Sequence, residues 1–359
     1  MTASVLTSDL LEPADILLSV DDVLEEFLTA KAAASDEPYL SYLAGLLREF
    51  LSGGKRIRPL LCVTGWRAAD GGTDTESVIR VAACLELFHA FALIHDDVMD
   101  SSNTRRGRPT AHRALADSRP AGRDPEQADR FGMGAAVLLG DLALVWSDEL
   151  LHTAGLSAGQ LSAVLPLLAE MRTEVMIGQY LDLCATGMLS DDVDATLNVI
   201  RYKTAKYTIE RPLHIGAAIA GASAEVMAAC TAYALPLGEA FQLRDDLLGV
   251  YGDPRDTGKS RLDDLREGKN TTLTALALSR ADAEQTARLR ELMGDPQLGE
   301  EGAAVVRAVL DATGAHAAVE AMIDDRLGQA LKTLEDSPFT PDATAALRRV
   351  ARMATVRNS

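Results

Sequence analysis

Apolar residues recur three and four positions apart along nearly the whole chain, while runs that alternate apolar with polar residues are scarce. Leu40, Leu43, Leu47 and Phe50 make one such stripe. Val81, Leu85, Phe88 and Ala92 make a second, and Leu161, Val164, Leu165 and Leu168 a third. This spacing returns to one face of a helix every turn and predicts helices that bury that face. Alanine, leucine, glutamate and arginine, all good helix formers, are plentiful. Helix breakers separate the stripes at Ser35-Asp36-Glu37-Pro38, Ser52-Gly53-Gly54, Asp70-Gly71-Gly72, Ser101 to Pro109 and Gly252-Asp253-Pro254. Pro59 reads as the first residue of a helix, where its missing N–H costs nothing. The fold class is therefore all-α. Residues 1–14 lack periodicity and read as a loose N-terminal extension. The polar run from Ala116 to Asp129 reads as a surface loop. No repeat or linker divides the rest, so residues 15–359 are expected to form one large helical domain.

Composition narrows the function. With 359 residues, 47% hydrophobic and 25% charged, the chain can bury a large core. Thirty-five Lys and Arg against 53 Asp and Glu leave a net charge of −18, which argues against a nucleic-acid surface. Aromatic residues at 4% are too few for base-stacking platforms. Cys62, Cys84, Cys184 and Cys230 are scattered without a CxxC pair and read as buried small hydrophobes in a reducing compartment. No stretch reaches the ~18 uncharged apolar residues of a membrane span; Gly132 to Trp146, the most apolar, carries Asp141. The first residues have neither a basic region nor an apolar core, so a signal peptide is not expected and the location is read as cytoplasmic.

The chemistry lies in two aspartate motifs. In ALIHDDVMD, Asp96 and Asp100 fall ~40° apart on one helix face, with Asp97 beside them. Carboxylates crowded at the end of an apolar helix repel one another unless a cation joins them. Hard oxygen ligands with room for substrate oxygens suit Mg²⁺. Alone, such a motif is as readily a solvated acidic helix end. A second pair, Asp245 and Asp246 in FQLRDDLLGVYGD, also ends an apolar helix, and Gln242 shares a face with Asp246. The two motifs are expected to face each other across one cavity and clamp divalent ions.

Basic residues accompany these acids. Gly53-Gly54-Lys55-Arg56-Ile57-Arg58-Pro59 sets three cations at a helix start, an anion site. Thr104-Arg105-Arg106-Gly107-Arg108 follows the first motif; Arg201, Lys203 and Lys206 form another cluster; Lys259 and Lys269 follow the second motif. One cluster is usually a solvated face. Several around two carboxylate pairs point to phosphate, which arginine forks and bridging metals both bind. His89 lies on nearly the same helix face as Asp96, at ~−20°, and suits a hydrogen bond to phosphate better than a hard metal.

Taken together, GGKRIRP, ELFHAFALIHDDVMDSSNTRRGRPT, YKTAKYT and FQLRDDLLGVYGDPRDTGK resemble the trans-polyprenyl diphosphate synthases, and most of all geranylgeranyl diphosphate synthases. The resemblance runs over about residues 20–350 with motif order intact. It implies the isoprenoid-synthase fold, a helical bundle around a deep cavity. It also implies a homodimer and the head-to-tail condensation of isopentenyl diphosphate with an allylic diphosphate (dimethylallyl, geranyl or farnesyl), with three Mg²⁺ per active site. Lys55, Arg58, His89 and Arg106 are then expected to bind isopentenyl diphosphate. Arg105, Lys203 and Lys259 would hold the allylic diphosphate, with Thr204 and Gln242 at the reacting carbons. Asp96 and Asp100, supported by Asp97, would ligate Mg²⁺, as would Asp245 supported by Asp246; Gln179 and Asp182 would also face the site, Gln179 as a substrate contact and Asp182 as a metal residue. One departure stands out. Many relatives carry a third aspartate where this chain has Gly249, which predicts weaker or rearranged metal ligation there.

Product length turns, by the same resemblance, on Phe91 and Ala92, five and four residues before Asp96. One aromatic and one small residue there resemble the C20 enzymes, where paired aromatics would resemble farnesyl synthases. Ala92 lies one turn below Asp96 and leaves room for a growing chain, while Phe88, two turns down, is an alternative floor. The competing readings are a farnesyl diphosphate synthase, a terpene cyclase, a non-catalytic partner subunit and a di-iron helical bundle. A cyclase needs no GGKRIRP or Arg105-Arg106, a partner subunit should have lost its aspartates, and a di-iron bundle needs paired Glu-x-x-His motifs.

Overall fold

A computed structural model describes residues 12–34, 36–118, 124–253 and 260–355. All but two short strands of its regular structure is helical. The contacts divide the chain into two compact units, residues 1–165 with 212–222, and residues 166–211 with 223–359.

In the first unit, α1 (Pro13–Ala33), α2 (Pro38–Leu51) and α3 (Ile57–Ala68) pack around α4 (Glu76–Met99). The helix breaks fall at the predicted breakers. Three boundaries differ from expectation. Pro13 and Ala14 belong to α1, because a proline is welcome at a helix start; residues 1–11 of the expected extension lie outside the described residues. Pro59 is the third residue of α3, where its missing N–H is still one that no helical carbonyl requires. The expected loop at 116–129 is shorter, since Ala116 and Asp117 close α5 (Ala111–Asp117) and Pro125 opens α6 (Pro125–His152); residues 119–123 of it lie outside the described residues.

Between α4 and α5 the chain makes a hairpin, β1 (Thr104–Arg105) against β2 (Arg108–Pro109), in place of plain loop. Its turn residues, Arg106 and Gly107, both have positive φ, the geometry that joins two strands without splaying them.

α4 is buried on nearly every side, from Val78 and Val81 through Leu85, Phe88 and Ile94. A helix apolar all round is a core helix. Against expectation, α4 and α6 are both long and apolar enough to cross a membrane by length and composition. The apolar window of α4 is 72% buried inside the protein, whereas that of α6 is 39% buried and leaves Met133, Val137, Leu138 and Val145 exposed.

The second unit holds most of α7 (Ala158–Ala185), α8 (Val193–Ile200) and α10 (Ala224–Tyr251), and then six further helices from Asp263 to Thr355. Its core joins Ile200, Leu243, Leu247, Leu265, Val306 and Ile323. Arg201–Glu210 is a π-helix, and the chain then continues as α9 (Arg211–Ile219). Two glycines let neighbouring helices approach its backbone. A Cβ on Gly178 of α7 would strike the backbone of Lys203, and one on Gly238 of α10 that of Ala205. Widened helical turns of this kind recur at functional sites.

Three of the cysteines, Cys62, Cys84 and Cys230, are buried as small hydrophobes, but Cys184 is exposed near the end of α7.

Candidate active site

The first aspartate motif closes α4. Asp97 is fully buried, and Arg105 of the hairpin grips it: Nε donates to Oδ1 and Oδ2 at 2.9 and 2.8 Å, and Nη2 lies 2.7 Å from Oδ1. Burial pushes the Asp97 carboxyl above its ordinary value, and the Arg105 guanidinium opposes that shift. Arg105 also donates to Asp96 at 3.3 Å. Asp97, expected beside the metal ligands, is thus an anchor for Arg105, while Asp96 and Asp100 lie at the partly exposed end of the helix.

Around His89, seven residues before Asp96 on α4, four guanidinium groups gather, two of them paired with carboxylates: Arg56 with Asp21 and Glu86, and Arg105 with Asp97. The His89 pKa lies well below the ordinary histidine value because of burial and then the guanidinium charges of Arg58, Arg105, Arg106 and Arg56. The imidazole is held neutral, and the guanidinium groups beside it offer hydrogen-bond donors that suit an anion. The loop before α3 meets the hairpin here: a Cβ on Gly54, which has φ +94°, would sit 2.9 Å from Arg106 Nη2. The three cations of GGKRIRP do not act alike. Lys55 is exposed and Arg58 half-buried, but Arg56 turns inward to Asp21 and Glu86.

In the second unit, Lys203 Nζ lies 2.5 Å from Asp182 Oδ2, and Gln179 is half-buried one turn before Asp182. Thr204 Oγ1 donates to Gln242 Oε1 at 2.7 Å, and Gln242 Nε2 donates to Asp246 Oδ1 at 2.8 Å. The predicted shared face of Gln242 and Asp246 is therefore a hydrogen-bonded chain starting on the π-helix. Asp246 is buried and its pKa is pushed up to about 7, mainly by desolvation; Lys269 and Gln242 oppose this, and Asp264 and Asp245 add to it. The other cations of the YKTAKYT region are structural. Arg201 pairs with Glu239 at 2.9 Å, and Lys206 with Glu174. Lys259 lies outside the described residues.

The place of the missing third aspartate is filled from elsewhere. A Cβ on Gly249 would run into the carboxylate of Asp264, on the short helix Asp263–Arg266. The sequence signal was present only as a second Asp pair, Asp263-Asp264, after the motif.

A polyprenyl synthetase family model matches residues 41–311, running through both units and all four motifs. The chain belongs to the polyprenyl synthetase family. It is a trans-prenyl diphosphate synthase, a transferase of prenyl groups. The crystal structure of a Corynebacterium glutamicum geranylgeranyl pyrophosphate synthase, complexed with isoprenyl diphosphate and magnesium, is similar to it at 42% identity and a TM-score of 0.92, over 97% of this chain and 100% of that one. A geranylfarnesyl diphosphate synthase of Aeropyrum pernix is 36% identical over 64% of this chain and 68% of its own. A geranylgeranyl diphosphate synthase of Saccharolobus solfataricus is 31% identical over 70% of this chain and 71% of its own.

This polyprenyl synthetase fits the magnesium its family uses. Among the described residues no three of His, Cys, Asp and Glu converge on one metal position. Asp96 with Asp100, and Asp245 with Asp246, instead offer carboxylates in pairs. One or two carboxylates completed by substrate phosphate oxygens is the usual way proteins hold Mg²⁺.

Proposed function

We propose that this synthase makes geranylgeranyl diphosphate, condensing isopentenyl diphosphate with dimethylallyl, geranyl or farnesyl diphosphate. The observation that carries the reading is the gathering of Arg58, Arg105 and Arg106 about a neutral His89, a set of donors suited to an anion inside an acidic protein. Lys55, Arg58, His89 and Arg106 take isopentenyl diphosphate. Arg105 serves the allylic diphosphate, and so do Lys203 and Lys259.

Three magnesium ions, when bound, neutralise the diphosphate as it leaves. Asp96 and Asp100 would hold metal at the end of α4, and Asp245 supported by Asp246 at the end of α10; Asp182 pairs with Lys203. Ionisation of the allylic C–O bond leaves a cation that water must not reach, and Thr204 and Gln242 present fixed oxygen dipoles to it. The alkene of isopentenyl diphosphate attacks the cation, a C–C bond forms, and the proton lost passes to the departed diphosphate. No protein nucleophile takes part.

Chain length follows from α4. Ala92 is half-buried one turn before Asp96, and Phe91 is packed with its ring 5.3 Å from Phe88 and 4.7 Å from His95. An open position above an aromatic floor suits a C20 product.

The exposed apolar row on α6, Met133, Val137, Leu138 and Val145, fits a partner surface, and a second copy of the chain is the natural one. Buried free thiols at Cys62, Cys84 and Cys230 suit a reducing cytoplasm.

The test is incubation of pure protein with Mg²⁺, isopentenyl diphosphate and each allylic primer, followed by dephosphorylation and chromatography. A C20 alcohol is expected. A C15 product would keep the mechanism and make this a farnesyl synthase. No elongation with any primer, together with tight Mg²⁺-dependent diphosphate binding, would favour a non-catalytic partner subunit.

A further inference from the structure

We propose that Arg56 is a positioning residue for isopentenyl diphosphate: it never touches the substrate, and it clamps the loop that presents Lys55 and Arg58. The proposal rests on the reading of those residues as diphosphate ligands.

Arg56 sits between the exposed Lys55 and the half-buried Arg58 of the GGKRIRP motif, yet it is itself only 8% exposed. Its guanidinium joins three helices. Nε and Nη2 donate to Asp21 Oδ1 on α1 at 3.0 and 2.7 Å. Nη1 donates to Glu86 Oε2 on α4 at 2.8 Å. Nη2 also donates to the carbonyl oxygen of Leu51, the last residue of α2, at 2.6 Å. Lysine, with one small ammonium, cannot span these acceptors as a planar fork does.

The backbone shows what this grip holds. Arg56 has φ +47°, a left-handed conformation that side chains other than glycine's seldom adopt. Such a conformation is costly and persists only where its surroundings determine it, and it clusters at ligand clamps. Here it follows Gly53 and Gly54, both also at positive φ, and is immediately followed by α3, whose first turn carries Arg58. The left-handed residue sets the direction in which α3 departs and the side on which Lys55 emerges. Gly54, packed against the Arg106 guanidinium, carries the same constraint to the hairpin, and Arg108 Nη1 donates to Ser52 Oγ at 3.2 Å.

Electrostatics separate Arg56 from its neighbours. Glu86 is 5% exposed and has no reason to be buried there except to meet a cation. Asp21 and Glu86 together offset the Arg56 charge, whereas the synthase reading assigns the diphosphate to Lys55 and Arg58. Replacing Arg56 alone would strand Glu86, so the informative variant is Arg56→Gln with Glu86→Gln, a neutral pair that can still hydrogen-bond. Arg56→Gly is the second variant; it keeps the left-handed turn and removes the anchor.

The experiment measures the Kd of isopentenyl diphosphate by calorimetry without allylic substrate, the KM of each substrate, and Tm. In both variants the Kd and KM for isopentenyl diphosphate are expected to rise about tenfold or more, as misplaced binding groups do, while the allylic KM stays at the parent value. Arg56→Lys should recover part of the loss. A folded variant that binds isopentenyl diphosphate like the parent, or that weakens both substrates equally, overturns the proposal and leaves the synthase reading standing. A parent protein that neither binds isopentenyl diphosphate nor elongates a primer overturns the synthase reading, and the proposal with it.

Discussion

The carboxylate of Asp264 stands in the space that a side chain on Gly249 would need. The gap in the second aspartate motif is thus matched by an acid from the short helix Asp263–Arg266, and the two positions exclude each other. Restoring the missing aspartate should therefore do harm. Gly249→Asp is expected to cost the ~1–3 kcal/mol of stability typical of overpacking, seen as a lower Tm, and to reduce turnover. Adding Asp264→Ala should recover much of both. Thermal melts and steady-state rates of the single and double variants check this; a single variant as stable and active as the parent would remove the steric argument.

The first motif divides into a buried anchor and two partly exposed acids. Asp97→Ala should strand the partly buried Arg105 and cost about 3 kcal/mol of stability, as broken buried pairs do. Asp100→Ala, at the end of α4, should leave Tm within about a degree or two while lowering Mg²⁺-dependent turnover by at least about a hundredfold. Melting curves and rates measured side by side separate the two effects.

Asp246 supplies a pH signature. Its carboxyl is raised by burial from 3.8 to about 7, so the fold prefers the neutral form. Between those values the folded chain binds a proton that the unfolded chain has released. Its contribution to stability is then fully present below about pH 4 and is lost as pH rises through about 7. Asp246→Asn, which stays neutral, should raise Tm by at least about 2 °C at pH 8 in chelator and have little effect at pH 4. The same change should weaken Mg²⁺-dependent activity. A variant less stable than the parent at pH 8 would contradict the assigned shift.

Product length should follow the α4 face. Ala92→Phe puts a ring one turn below Asp96 and is expected to shift the product toward C15. Phe91→Ala removes a ring packed on Phe88 and His95, at a cost of up to about 3–5 kcal/mol, and should lengthen the product. Chromatography of the dephosphorylated alcohols reads both; an unchanged product from Ala92→Phe would place the floor elsewhere.

Much of this protein was legible in its sequence. The three-and-four spacing determined the all-α class, because a helix returns to one face every turn whatever surrounds it. Motif order identified Lys55, Arg58, His89, Asp96, Asp100, Lys203, Gln242 and Asp245 as candidates, since local spacing alone sets Asp96 beside Asp100 and Gln242 beside Asp246. The tertiary structure decided what spacing cannot express. Arg56 and Arg58 read as equivalent cations until a left-handed turn sends one inward to Asp21 and Glu86. Arg201 and Lys206 join Lys203 in sequence but are spent on Glu239 and Glu174, and the π-helix that separates them depends on close approach at Gly178 and Gly238. Asp264 packs against Gly249, fifteen residues earlier, because a missing Cβ leaves it room. The physical reason is common to all three. Periodicity fixes a residue's direction on its own helix, whereas its partner is set by which other helix comes within a hydrogen bond of it.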